Sequence, residues 1–215
     1  MGDAVAVHGG HGDAHAHHHP DLQHHFDTLE QQHEAATLGM WLFLITEVLF
    51  FGGLFLAYML YRVWYPVAWA EASRELDIVL GAFNTAVLIG SSLTMALAVR
   101  AAQTGKQRAT VVWILLTMTL GFVFLVVKYF EYSHKFELGL FPSTNNFLAI
   151  YFTLTGLHML HVIGGMVVNA YFWGPGAKLY KTNPQWFINR VEHSGLFWHF
   201  VDLVWIFLFP TLYLL

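Results

Sequence analysis

Polar and apolar positions in this chain separate into blocks instead of mixing along its length. Residues 1–37 are polar and small, rich in His, Gly, Ala and Asp. Beyond them come five long apolar runs, at Leu38–Tyr61, Ile78–Val99, Thr110–Phe130, Asn146–Trp173 and Leu196–Leu215. Each holds about 20 residues or slightly more, enough at about 1.5 Å per residue to cross a hydrocarbon core of about 30 Å. The connections are short and marked by helix breakers: Pro66, Gly105, Pro142 and Gly174-Pro175-Gly176. None is long enough for a separate soluble domain. The pattern predicts an all-α integral membrane bundle of five transmembrane helices over residues 38–215.

The amino-terminal 37 residues carry nine histidines and too few apolar groups to order themselves, so a disordered tail is expected there. They contain no Lys or Arg and no continuous apolar core, unlike a signal peptide. The first basic residue is Arg62.

Composition supports the membrane reading. Hydrophobic residues make up 56% of the chain and charged ones only 11%, against about a quarter in soluble domains. The absence of cysteine excludes disulfides, thiolate metal sites, iron–sulfur clusters and a Cys nucleophile. A net charge of −4 spread over loops leaves no nucleic-acid footprint.

Lys and Arg counts set the expected orientation. Arg100, Lys106, Arg108, Lys178, Lys181 and Arg190 flank one side; Arg62, Arg74, Lys128 and Lys135 flank the other. Six against four places the amino terminus in the cytoplasm and the carboxyl terminus in the periplasm.

Ionisable groups within spans cost free energy, about 2.5–3.5 kcal/mol each on insertion scales, and so call for an explanation. Glu47 lies well inside the first span, in Thr46-Glu47-Val48-Leu49-Phe50-Phe51. His158 and His161 share one face of the fourth, and His199 and Asp202 one face of the fifth, each pair spaced i, i+3. With the inferred orientation Glu47 sits about 13 Å from the inner end, His161 and His158 about 18–23 Å, and His199 and Asp202 about 5–9 Å. Glu47 is thus expected to share the inner half with the fifth-helix pair, the fourth-helix histidines lying nearer the middle. A lone carboxyl among Phe and Leu can relay protons or anchor a lipid headgroup.

A bis-His haem needs histidines facing each other from different helices at matched depth. These do not, so no cofactor or metal is expected within the bundle. Glu131 and His134, again i, i+3, read with Lys128, Asn145 and Asn146 as an outer interfacial cap, Lys128 snorkelling to the surface. Trp64, Tyr65, Trp69, Trp173, Trp186 and Tyr213 fit the aromatic belt. In the tail, His17, His18, His19, His24 and His25 could hold Zn, Cu or Ni, weakly and without selectivity, since nothing fixes their geometry.

Five stretches, one in or at the end of each span, together resemble subunit III of the haem-copper oxidases, both cytochrome c and quinol types. They are Leu42–Gly52, Phe83–Ser92, Phe130–Tyr132, Thr155–Gly165 and Trp198–Leu208, in the family's order. The resemblance covers everything but the tail. It implies a non-catalytic core subunit of a proton-pumping oxidase in the bacterial inner membrane, with haem and copper on subunits I and II. Such a subunit binds phospholipid, supports assembly, and packs beside subunit I near its inner-side proton entry. Glu47 would then be the family's buried carboxyl, with His158, His161, His199, Asp202 and Glu131 as matching polar positions. Longer members have two additional helices before the one matching Leu38–Tyr61. This chain is similar to the short five-helix form, so one wall of the lipid cleft is absent or supplied by a partner.

Two other readings remain open from the sequence: an accessory protein of a nitric oxide reductase, and a metal-ion or proton transporter using the His tail as a collector. The transporter lacks the internal repeats and broken midplane helices that such proteins usually show.

Overall fold

The structure, a computed structural model, describes residues 22–74 and 76–214. It divides into two units, residues 1–39 and residues 40–215. Helices α1 (Leu29–Trp64), α2 (Pro66–Ser73), α3 (Ile78–Gln103), α4 (Gln107–Glu137), α5 (Asn146–Trp173), α6 (Leu179–Thr182) and α7 (Pro184–Phe209) follow in order. A 3-10 turn at Pro175–Lys178 precedes α6, and a π-helical turn at Pro210–Leu214 follows α7. Five stretches among the described residues are long and apolar enough to cross a membrane: Leu29–Trp64, Ile78–Gln103, Gln107–Glu137, Asn146–Thr182 and Pro184–Leu214.

Every expected span is present, and four extend further than their apolar cores, the second to Gln103. The first begins at Leu29, so residues 29–37 are helical where a disordered tail was expected. The reason is local capping: Thr28 Oγ1 accepts from Gln31 N at 3.1 Å while the Gln31 side chain accepts from Asp27 N at 2.8 Å. The third span continues to Glu137 and the fifth begins at Pro184. There Asn183 accepts from Trp186 N at 3.0 Å and Pro184 occupies the first turn. Hydropathy detects the greasy middle of a helix, whereas caps set its ends. The same holds for α3 and α5, where Asp77 and Asn145 cap the amino termini at the predicted positions.

The carboxyl ends of α3 and α4 close in the same way. Gly105 and Gly139, both at φ +74°, take the left-handed position that only glycine adopts cheaply. Lys106 N then bonds Ala101 O at 2.9 Å, and Leu140 N bonds Lys135 O at 3.0 Å. These tight turns return each helix antiparallel to its predecessor.

Helices α3, α4, α5 and α7 form a closed ring in which each packs on two neighbours. Its centre holds Leu88, Met95, Ile114, Phe124, Leu154, Val162, Trp198 and Trp205. Trp198 fits because α4 and α5 both offer glycine to its ring. A Cβ on Gly121 would lie 2.9 Å from Cη2, and one on Gly165 2.9 Å from Cε3. Outside the ring, α1 meets α5 and α7 through Phe43, Glu47 and Phe51, spaced i, i+4, i+8 on one face. Its opposite side is open, with Leu49 70% and Val63 75% exposed.

Candidate functional site

The intramembrane acidic and histidine residues singled out from the sequence fall, with their partners, into two pairs and one network, with two further groups left single. Glu47 on α1 and His161 on α5 meet at 3.0 Å between Oε2 and Nε2. The other ring nitrogen of His161, Nδ1, donates to the Leu157 carbonyl at 2.7 Å. Phe51 stands edge-on to the imidazole, with Phe50 and Phe197 close by. Both side chains are about four-fifths buried, with 18% and 19% exposure. The expected depth gap between Glu47 and the fourth-helix histidines is therefore corrected: His161 stands at the level of Glu47. The count from span ends was offset on the α1 side, because α1 runs from Leu29 to Trp64, past its apolar core at both ends, whereas α5 has the bounds expected of it.

On α7, His199 Nδ1 lies 2.6 Å from Ser92 Oγ of α3. Asp202, one turn further, is buried, and neither carboxylate oxygen has a hydrogen-bond partner among the described residues. Ser92 is near it but directs its well-formed bond to His199. His158 is also fully buried, with both ring nitrogens unpartnered among the described residues. It packs against Phe124 and Trp205 at ring-centroid separations of 5.6 and 5.2 Å. The i, i+3 spacing thus sets His158 and His161 to different tasks, one in the aromatic core and one facing α1.

The largest departure from expectation is at Lys128 and Glu131. Lys128 does not snorkel: it is fully buried, and its Nζ lies 2.9 Å from Glu131 Oε2. Glu131 Oε1 accepts from the hydroxyls of Tyr151 and Tyr213, each at 2.6 Å. Lys128 also donates to Tyr213 at 2.5 Å, and its ammonium rests 4.8 Å from the Trp205 ring centroid. Four side chains from α4, α5 and the final turn close one network. Tyr213, expected in the interfacial belt, is only 3% exposed for this reason. Sequence reading missed Lys128, Tyr151, Tyr213 and Ser92 as site residues. The i, i+3 spacing of Lys128 and Glu131 was the available signal. His134, in contrast, is exposed.

Of the tail histidines, His17, His18 and His19 lie outside the described residues. His24 and His25 are exposed, and no group of three potential ligands gathers among the described residues.

Comparison with known proteins gives a consistent result. The model of the family described as cytochrome c oxidase subunit III matches residues 22–215. Cytochrome c oxidase subunit 3 of Synechocystis sp. is 35% identical, covering 95% of this chain and 81% of the relative. Cytochrome bo(3) ubiquinol oxidase subunit 3 of Pseudomonas aeruginosa is 30% identical over 91% of this chain and 92% of its own. A protein of Aeropyrum pernix described as heme-copper oxidase subunit I+III is 31% identical over 82% of this chain, a match that takes up 22% of that longer protein.

Proposed function

The chain belongs to the cytochrome c oxidase subunit III family, and from that premise we propose that it serves a haem-copper terminal oxidase as a subunit without a redox centre of its own. It is a multi-pass membrane protein that packs beside subunit I, in the complex that also contains subunit II, and supports assembly and proton uptake. Haem and copper sit on those partners, where O2 is reduced to water; this chain contributes polar side chains and a lipid-facing surface that takes phospholipid.

The observation that carries this reading is the family match over residues 22–215, together with the Glu47–His161 pair at the heart of two of the matching stretches. The relative whose name joins subunits I and III in one chain supports direct packing against subunit I. Both ring nitrogens of His161 are engaged, by Glu47 and Leu157, and Nδ1 of His199 by Ser92, the contacts to Glu47 and Ser92 joining neighbouring helices. The side bearing Arg100, Lys106, Arg108, Lys178, Lys181 and Arg190 faces the cytoplasm of a bacterial inner membrane, with the amino terminus on that side.

Purification of the tagged chain in mild detergent tests the reading. A haem-bearing subunit should accompany it, and the haem absorbance should follow that subunit when the two are separated. Stoichiometric haem on the isolated chain would overturn the proposal. The bo(3)-type relative favours a second reading in which the donor is a quinol. Oxidase activity of the purified complex with reduced cytochrome c and with quinol, assayed side by side, separates the two.

A further inference from the structure

The contact between Glu47 and His161 can form only with a proton in it. Nδ1 of His161 lies 2.7 Å from the Leu157 carbonyl oxygen. A carbonyl accepts and never donates, so the hydrogen is on Nδ1. In the neutral ring Nε2 is then a bare acceptor, facing Glu47 Oε2 at 3.0 Å. An ionised carboxylate is also acceptor-only. One proton on this axis satisfies both groups, as a carboxylic acid donating to imidazole or as an imidazolium donating to carboxylate. Each form is neutral overall, as a low-dielectric setting requires. Without the proton, a lone pair confronts an anion.

Few other polar contacts tie α1 to the rest of the bundle. Along Met40–Tyr61 its other hydrogen bond to another element, among the described residues, is from the Tyr58 hydroxyl to the Thr211 carbonyl. The remaining contacts are apolar: Leu44 is buried, Met40, Leu54 and Phe55 pack against the core, and ring contacts join Phe43 to Phe197, Phe51 to Phe200, and Tyr58 and Tyr61 to Trp69. Helix α1 thus leans on the ring with its middle fastened at one polar point.

We propose that Glu47 and His161 form a one-proton site that latches α1 to α5, the helix staying docked while the proton is shared and loosening when it is lost. The proposal rests on geometry alone and holds whichever oxidase the chain serves. The titratable groups around the pair are few. On α5, His158 lies one turn away and interacts electrostatically with His161. On α7 the pair meets Phe197 and Phe200, with His199 and Asp202 flanking Phe200 and His199 engaged by Ser92. From α4, Lys128 acts on His158 and is itself paired with Glu131. Along α1 the nearest polar neighbour, Thr46, is spent on its own backbone, donating to Phe43 O.

The absence of native cysteine makes the test direct. Leu56 on α1 and Val167 on α5, 60% and 65% exposed, are replaced by Cys and spin-labelled in the full chain, purified with its partners and placed in lipid nanodiscs. Inter-label distances are read from about pH 5 to about pH 10, with singly labelled chains as controls. In the wild type the distance should lengthen and broaden as pH rises. Glu47→Gln offers an amide N–H to Nε2 without needing the shared proton, so its distance should stay short throughout. His161→Phe should give the long distance at every pH. A wild-type distance that does not change with pH overturns the proposal, as does a Glu47→Gln distance that lengthens alongside it. If His161→Phe fails to accumulate, the comparison of wild type with Glu47→Gln decides alone.

Discussion

Lys128 and Glu131 form an ion pair 2.9 Å long in which the ammonium has no exposed surface. One helical turn separates them, so α4 brings both charges to the same face and buries them together. Removing one partner strands the other charge, whereas removing both leaves no buried charge and two phenol hydroxyls that can still bond each other, being 3.2 Å apart. Lys128→Met should therefore cost about 3–5 kcal/mol, and the double variant Lys128→Met/Glu131→Leu much less. Unfolding in detergent micelles measures both. A double variant as unstable as the single one would show that the phenols lose as much with the pair as a stranded charge does.

The phenols complete this network, and their loss should be graded. Tyr213→Phe removes a donor to Glu131 and a 2.5 Å acceptor for Lys128, and Tyr151→Phe removes a donor to Glu131 and a longer, 3.4 Å acceptor for Lys128. Hydrogen bonds to charged groups are worth about 1.5–3 kcal/mol each, so Tyr213→Phe should be the costlier. Because both act on Glu131 Oε1, the double variant should depart from additivity. Four-point cycles of unfolding free energy check this, and strict additivity would contradict a shared network.

The helices were legible in the sequence because apolar length is an unambiguous signal in a membrane chain. Their ends were less so. The Thr28-to-Gln31 cap and the Asn183–Pro184 start are written in residues that hydropathy treats as loop. At the site, Glu47, His161 and Asp202 stood out because a charge within a span demands a reason. Which group each would meet was not visible, since pairing across helices depends on rotation and tilt that no single helix encodes. Lys128 was assigned to the surface by its place near the end of an apolar run. The missing information was that α4 continues past Phe130 to Glu137, which draws Lys128 inward.

Asp202 and Ser92 should respond in opposite directions. A buried carboxyl without a partner costs free energy, so Asp202→Leu should leave the chain's own stability unchanged or raise it. Ser92→Ala takes the bonding partner from His199 and should cost about 1–3 kcal/mol. Thermal unfolding of the two variants in the same detergent decides the matter. A large loss on Asp202→Leu would mean that the carboxylate has a stabilising partner in the folded chain.

Glycine replacements should sort by what lies opposite them. Gly121 and Gly165 face the indole of Trp198 from α4 and α5, each leaving only 2.9 Å between a new Cβ and the ring. The ring cannot move aside, because Trp198 is 1% exposed and its Nε1 donates to Ser91 at 3.1 Å. Gly121→Ala and Gly165→Ala should each cost about 1–3 kcal/mol by overpacking. Gly156 and Gly164 sit on the same helix as Gly165 with nothing within 4 Å of a new Cβ. Alanine there should be neutral or stabilising by up to about 1 kcal/mol, since it restricts the unfolded chain and favours helix. Trp198→Phe, which removes the obstructing edge, should make Gly121→Ala less harmful than it is in the wild type. If alanine is tolerated equally at all four positions, the indole is not the element that sets the spacing of α4 and α5.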